Sequence, residues 1–332
     1  MPAGPLAQRA GVAVTGAAFA LAAGLMWGLV FVTPLLLPDY PAALLSVGRY
    51  VAFGLIALPL AAIDRRRLRG LSRADWLEAL KLAAVGNLLY YLLLASAIQR
   101  AGAPVPTMII GTLPVVIAIV SNLRDAHRDG RLPWVRLVPS LLLIGAGIGL
   151  VNKAELDAMR GAPAGFGLAR HAIGAALAVA AAGCWTWYPL RNADWLRAHP
   201  DRSPRTWATA QGVATLPLAL AGYAVVWALL PAQYAPPLGP RPGTFVVAMA
   251  TIGLLASWLG TLCWNEASQR LPTTLAGQLI VFETLSALAY AFALRGTWPP
   301  PLTLTGIALL VAGVAWALRA TPEPVTAEAH AN

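Results

Sequence analysis

Ten apolar runs, at 13–36, 41–62, 76–98, 104–123, 134–151, 171–190, 206–229, 244–267, 273–294 and 302–318, leave this chain few folds to choose from. A bilayer core takes about 20 apolar residues per helix, and most runs meet that length. The fifth is among the shortest and has the least distinct ends. A membrane β-barrel would alternate apolar and polar residues at every second position, which these runs do not do. A soluble alternative fails on composition. Apolar residues make up 58% of the 332 and charged residues 11%, against about 25% charged in soluble domains, and a single soluble core stops growing before it could hide that much apolar surface. The first run follows Arg9 but exceeds a secretory h-region and precedes nine more, so it reads as a span and not as a cleaved signal. The expected fold is an all-α membrane protein of ten transmembrane helices.

The basic residues fix an expected orientation. With the N-terminus in the cytoplasm, the breaks on that side hold Arg9; Arg65, Arg66, Arg67, Arg69 and Arg73; Arg124, Arg128, Arg131 and Arg136; Arg191, Arg197, Arg202 and Arg205; Arg270; and Arg319. The opposite breaks hold only Arg100, Lys153, Arg160, Arg170, Arg241 and Arg295, while Arg49 and Lys81 lie within spans. An excess of Lys and Arg marks the cytoplasmic side, so both termini are expected there. The net charge of +10 is then a topology signal, and no nucleic-acid partner is expected. Cys184 and Cys263 sit in apolar runs without partners at ligand spacing. His127, His171, His199 and His330 lie in or beside breaks. No metal site follows.

The stretch from Gly243 to Arg319 repeats an earlier passage. Gln269-Arg270 closes the eighth run as Gln99-Arg100 closes the third, and Gly-rich closers end both passages, Gly145 to Val151 and Val311 to Trp316. The chain therefore reads as one five-helix unit used twice, at 13–151 and 171–318. Residues 1–12 precede it, 152–170 form an outer linker, and a polar cytoplasmic tail, 319–332, follows. Five is odd, so the second copy must cross the membrane inverted. Inverted repeats belong to secondary transporters, with the substrate site where the repeats meet.

Met26-Trp-Gly28, Pro41 through Arg49 and the mid-run Gly111-Thr-Leu-Pro114, with the Gly-rich fifth and tenth runs, resemble the EamA-type members of the drug/metabolite transporter superfamily, which implies ten helices in two inverted repeats. Trp264-Asn265 followed by Thr273 to Ala287 is most similar to the YddG-type exporters of aromatic amino acids. That likeness implies a multi-pass protein of the bacterial inner membrane that exports neutral and aromatic amino acids by alternating access, without a cofactor. The expected partners are a small-molecule substrate and membrane lipid, the expected state a monomer. Two positions depart from the pattern: Glu283 stands where the family usually has Pro, and Ser121 to Arg124 where many members carry a Glu.

Glu283 sits mid-run, where an ionisable side chain costs about 3 kcal/mol on insertion scales and must face protein or water. It reads either as a proton-sensitive or ammonium-pairing carboxylate or as a structural hydrogen-bonded one. Ser286 and Tyr290 share its helical face. Arg49 reads as a carboxylate-attracting group or as a brace. Asn87, Tyr90 and Tyr91 share a face of the third span, Trp258, Thr261 and Asn265 one of the eighth beside Trp264, and Trp185 and Tyr188 pair on the sixth. Met26 and Trp27 from the first span, Met108 from the fourth and Gln278 from the ninth complete the expected cavity. Each alone equally suits core packing, but rings with a few polar groups recurring on four helices suit an apolar or aromatic ligand. Gly111, Pro114 and Gly277 are expected gate hinges. Gly145 with Gly149, and Ala308 with Ala312, are expected close-packing pairs. Trp76, Trp134, Trp195, Trp207, Trp227, Trp298 and Trp316 lie near run ends and read as interfacial anchors. An enzyme would need clustered His, Asp or Cys, and a channel a continuous polar stripe; neither pattern occurs.

Overall fold

The computed structural model describes residues 5–101, 106, 109–125, 132–159, 168–231, 234 and 237–319. Met108, Arg128, Arg131, Arg160 and the tail after Arg319 lie outside them. Among the described residues the apolar runs are helical and no strand forms. We number the helices α1 (Gly11–Leu36), α2 (Ala42–Ile63), α3 (Arg73–Ala101), α4 (Leu113–Arg124), α5 (Trp134–Val151), α6 (Ala172–Ala198), α7 (Pro204–Leu229), α8 (Pro242–Arg270), α9 (Thr273–Leu294) and α10 (Pro301–Ala317). All but α4 and α10 are long and apolar enough to cross a bilayer; those two are shorter apolar helices. Helix also continues beyond two of the expected run ends: from α5 to Met159, and through α6 to Ala198, which puts Arg191 and Asn192 inside a helix.

Helix pairing follows the repeat. α1 packs along the second half of α8 as α6 packs along the second half of α3, and α2 meets α7, α4 meets α9, and α5 meets α10. Raising every helix number by five leaves these pairs unchanged, as a pseudo-two-fold arrangement of two five-helix units requires. The Gln-Arg joints now have a cause. Gln99 donates to Tyr40 O (2.8 Å) at the α1–α2 turn, and Gln269 donates to Arg202 O (3.2 Å) at the α6–α7 turn. Arg100 and Arg270 each bond the carbonyl four residues back, on Ser96 and Glu266.

The α5–α10 contact is made by other small residues than expected. A Cβ on Gly147 would lie 2.6 Å from Gly306 O, one on Gly306 2.7 Å from Gly147 O, and one on Gly313 2.9 Å from Ser140 O. Gly145 and Gly149 meet nothing within 4 Å, and Ala308 and Ala312 face outward. The small-residue spacing recurs on both faces of these helices, so sequence alone could not select the buried one.

The turns collect alternately at two ends. At one, Arg202 reaches Gly70 O (2.8 Å), Arg197 reaches Leu271 O (2.5 Å) and Arg124 bridges Asp125 and Asp194 (2.7 and 2.9 Å). Just inside it, Arg191 takes Glu78 through both oxygens at 2.5 and 3.0 Å. At the other, Arg241 pairs with Asp39 and donates to Leu36 O (2.9 Å), Tyr40 donates to Leu238 O (3.0 Å), and Arg170 reaches Gln99 O (3.1 Å). Trp134, Trp227, Trp298 and Trp316 are exposed, as anchors should be. Trp195 and Trp207 are not anchors: both are buried, their rings stack at 3.5 Å, and their indoles donate to Asp75 and Asn192 (both 2.8 Å). The continuation of α6 and the hydrogen-bond needs of an indole draw them inward.

Candidate functional site

Three interruptions of regular helix border one small cavity, and a fourth lies ahead of α4. α3 widens into a π-helical turn at Ala83–Leu89 and α8 at Gly253–Leu259, separated by the same interval as the two Gln-Arg joints. α9 breaks at Ile280, between Thr273–Leu279 and Val281–Arg295, and the fourth segment turns at Gly111 and Thr112 before α4. A π turn inserts a residue and releases carbonyls from the helical ladder. Both wide turns use one: Trp27 Nε1 donates to Ala256 O (2.9 Å) and Ser46 to Leu88 O (3.3 Å).

The cavity is walled by Trp27 and Val30 of α1, Arg49 and Tyr50 of α2, Asn87 and Tyr90 of α3, Trp185 and Tyr188 of α6, Ala256, Ser257 and Thr261 of α8, and Glu283 of α9. Its free volume is ≈ 10 Å³, about what one water needs. Close approach of α1 to α9 places Glu283 here. A Cβ on Gly24 would lie 2.6 Å from Phe282 Cβ, and one on Gly28 2.6 Å from Ser286 Cβ, so the Trp27-Gly28 pair sets a ring and a contact point side by side. Trp185 stacks between Tyr90 (4.7 Å) and Tyr188 (5.1 Å), and meets Trp27 edge-on at 5.1 Å.

Arg49 is clamped. Its guanidinium lies 4.9 Å over Tyr50 and 4.8 Å over Tyr91, and Nε donates to Ser257 Oγ (2.9 Å). Arg49 Nη1, Tyr90 Oη, Trp185 Nε1 and Glu283 Oε2 are all buried without a hydrogen-bond partner. A buried polar group left unpaired costs about 1–3 kcal/mol, more when charged. Four such atoms around one cavity make it the candidate site among the described residues.

The amino-acid sequence carries the same message. Over 317 residues, 94% of this chain and 98% of the other, it is 56% identical to the inner membrane protein YtfF of Escherichia coli strain K12, and residues 14–151 match the model of the EamA-like transporter family. The chain belongs to the EamA-like transporter family. A solved crystal structure superposes with a TM-score of 0.67 at 20% identity, over 92% of this chain and 96% of that one, which supports the fold.

Eight of the expected residues line the cavity of this EamA-like transporter: Trp27, Arg49, Asn87, Tyr90, Trp185, Tyr188, Thr261 and Glu283. Tyr91 stands behind Arg49 and donates to Val30 O (3.3 Å), and Trp264 packs on Trp27 at 5.3 Å. The remaining expected residues lie elsewhere. Met26 packs half-buried against the core, Trp258 donates to Thr209 (3.2 Å), and Tyr290 reaches back to Leu25 O (2.9 Å). Gln278 accepts from Ser140 (2.7 Å) where α5, α9 and α10 meet. Asn265 belongs to a buried chain of polar side chains. Tyr188 donates to Gln211 (2.8 Å), Gln211 and Trp207 to Asn192 (3.1 and 2.8 Å), Asn192 to Asn265 (2.8 Å), and Asn265 to Pro204 O (3.2 Å). Trp258 lies inside the α8 π turn, where i+3 counting fails, whereas Asn265 follows the lining Thr261 by one turn of the regular helix Gly260–Arg270 and meets the polar chain there. Of the hinge candidates, Gly111 sits in a turn, Pro114 in the first turn of α4, and Gly277 beside the α9 break, where Ile280 N–H bonds its carbonyl (3.3 Å). Sequence reading missed Val30, Tyr50, Ala256 and Ser257 as lining. The first three are small, aliphatic or aromatic groups ordinary in any span; Ser257 alone had a signal, since a buried Arg49 needs an acceptor.

Proposed function

We propose that this protein is an alternating-access exporter of small amphipathic metabolites, neutral and aromatic amino acids first, in the bacterial inner membrane with both termini in the cytoplasm. The observation that carries the reading is the closed cavity: four buried, unpartnered polar atoms and a wall of aromatic rings, drawn from helices of both repeats. At ≈ 10 Å³ it holds no amino acid until helices part. The wide turns of α3 and α8 and the breaks in α9 and before α4 are places where they can bend. Both ends are latched, by Arg191 with Glu78 on the Arg-rich side and by Arg241 with Asp39 on the other, which fits an occluded intermediate between two open states. All walls come from a single chain, so one monomer suffices. The relative's printed description as an inner membrane protein and the bias of Lys and Arg support the location and orientation.

Purified protein in liposomes preloaded with unlabelled phenylalanine should accumulate labelled phenylalanine by counterflow, saturably and with no chemical change to the solute. No counterflow with any neutral or aromatic amino acid removes the substrate assignment, and linear, unsaturable flux removes the carrier.

A further inference from the structure

Arg49 and Glu283 put opposite charges on the wall of one cavity, yet no hydrogen bond or ion pair between described residues joins them. Arg49 is held on two sides by Tyr50 and Tyr91 and on a third by Ser257, which leaves Nη1 buried with nothing to donate to. Glu283 opens the second half of α9, its N–H bonded to Ile280 O (2.9 Å), and Oε2 is buried without a hydrogen bond, with the Trp185 indole facing the carboxylate. The rings of Trp27, Tyr90, Trp185 and Tyr188 stand in the same wall. An anionic guest would satisfy the guanidinium and be repelled by the carboxylate; a cationic guest would do the reverse. A guest carrying both charges close together, with an apolar side chain, satisfies every group at once.

Resting on the carrier reading above, we infer that Glu283 takes the substrate's ammonium and Arg49 its carboxylate, so that the site selects zwitterions by requiring both charges. The aromatic wall then receives the side chain. Tyr90 Oη, a further unpartnered donor, serves a carboxylate oxygen that Arg49 does not reach, while the Trp185 indole faces the Glu283 carboxylate.

The test is competition against labelled phenylalanine counterflow by three ligands: phenylalanine, its methyl ester, which lacks the carboxylate, and N-acetylphenylalanine, which lacks the ammonium. Thermal stabilisation in detergent by the same three ligands is read in parallel. In the wild type both derivatives should bind at least about tenfold more weakly than phenylalanine, since each forfeits a charge-assisted hydrogen bond. Glu283→Gln keeps the side chain's shape. It should weaken phenylalanine by about tenfold or more and leave N-acetylphenylalanine within about twofold. Arg49→Gln should do the converse, sparing the methyl ester. If Arg49→Gln does not fold, Glu283→Gln decides alone, because the comparison is between two ligands on one protein. Equal weakening of phenylalanine and N-acetylphenylalanine in Glu283→Gln, or a wild type indifferent to the missing charges, overturns the assignment and leaves the carrier standing. A wild type that shows the expected ligand ranking in thermal stabilisation but no counterflow overturns the carrier reading and upholds the charge roles.

Discussion

Asn192→Leu should destabilise the bundle more than any other single near-isosteric change in α6. Asn192 is 0% exposed, and its side chain holds three others: it accepts from Trp207 (2.8 Å) and Gln211 (3.1 Å) and donates to Asn265 (2.8 Å). Leucine fills a similar volume but strands all three. At the roughly 0.6 kcal/mol average for hydrogen bonds between membrane helices, the loss is about 2 kcal/mol. At the roughly 1–3 kcal/mol of a fully desolvated orphan it reaches between about 3 and 9 kcal/mol. Asn122 supplies an internal scale. It is equally buried but makes two bonds, both with the Leu132 backbone (2.9 and 3.3 Å), so Asn122→Leu should lose about two-thirds as much if the bonds are equivalent. Unfolding in mixed micelles, followed by tryptophan fluorescence, measures both. A loss below about 0.5 kcal/mol for Asn192→Leu, smaller than one average membrane hydrogen bond, would refute the claim that this chain braces the end of the bundle.

Gly86→Val should abolish counterflow while the protein still folds, because even a Cβ would sit 2.1 Å from the Tyr188 ring. Gly183→Ala, with nothing within 4 Å, should transport as wild type, and equal activity of the two would discard the argument. Gly147→Leu should separate α5 from α10 and lower thermal stability, whereas Gly145→Leu on the lipid side should not; the reverse order in a melting assay would reassign the contact face. The Asp39–Arg241 latch should weaken in acid. The Arg241 hydrogen bond holds the Asp39 carboxyl below its usual range, so the latch contributes above the unfolded carboxyl value, about pH 4, and is lost as pH falls through the lowered folded value. Hydrogen exchange at the Arg241 amide, which donates to the Tyr40 hydroxyl (2.8 Å), should rise at low pH and in Asp39→Asn, and no change in either would remove the latch.

Hydrophobic run length, charge alternation and a repeated Gln-Arg joint were enough to specify ten helices and a duplicated unit, because lipid admits only fully hydrogen-bonded spans and each signal is local along the chain. Trp27, Arg49 and Glu283 were legible as cavity-lining residues for a related reason: an ionisable or hydrogen-bonding group inside a span must have a polar destination. Tertiary structure decided the rest. Which face of α5 and α10 is buried turns on contacts between Gly147 and Gly306 that no periodicity reveals. Trp195, Trp207 and Asn265 were drawn into a buried hydrogen-bonded chain by partners distant in sequence. The π turns at Ala83–Leu89 and Gly253–Leu259 shifted the register of α3 and α8, so helical counting across them pointed Trp258 at a cavity it does not reach. A residue's face depends on every turn before it, and one inserted residue changes that face without leaving a mark in composition.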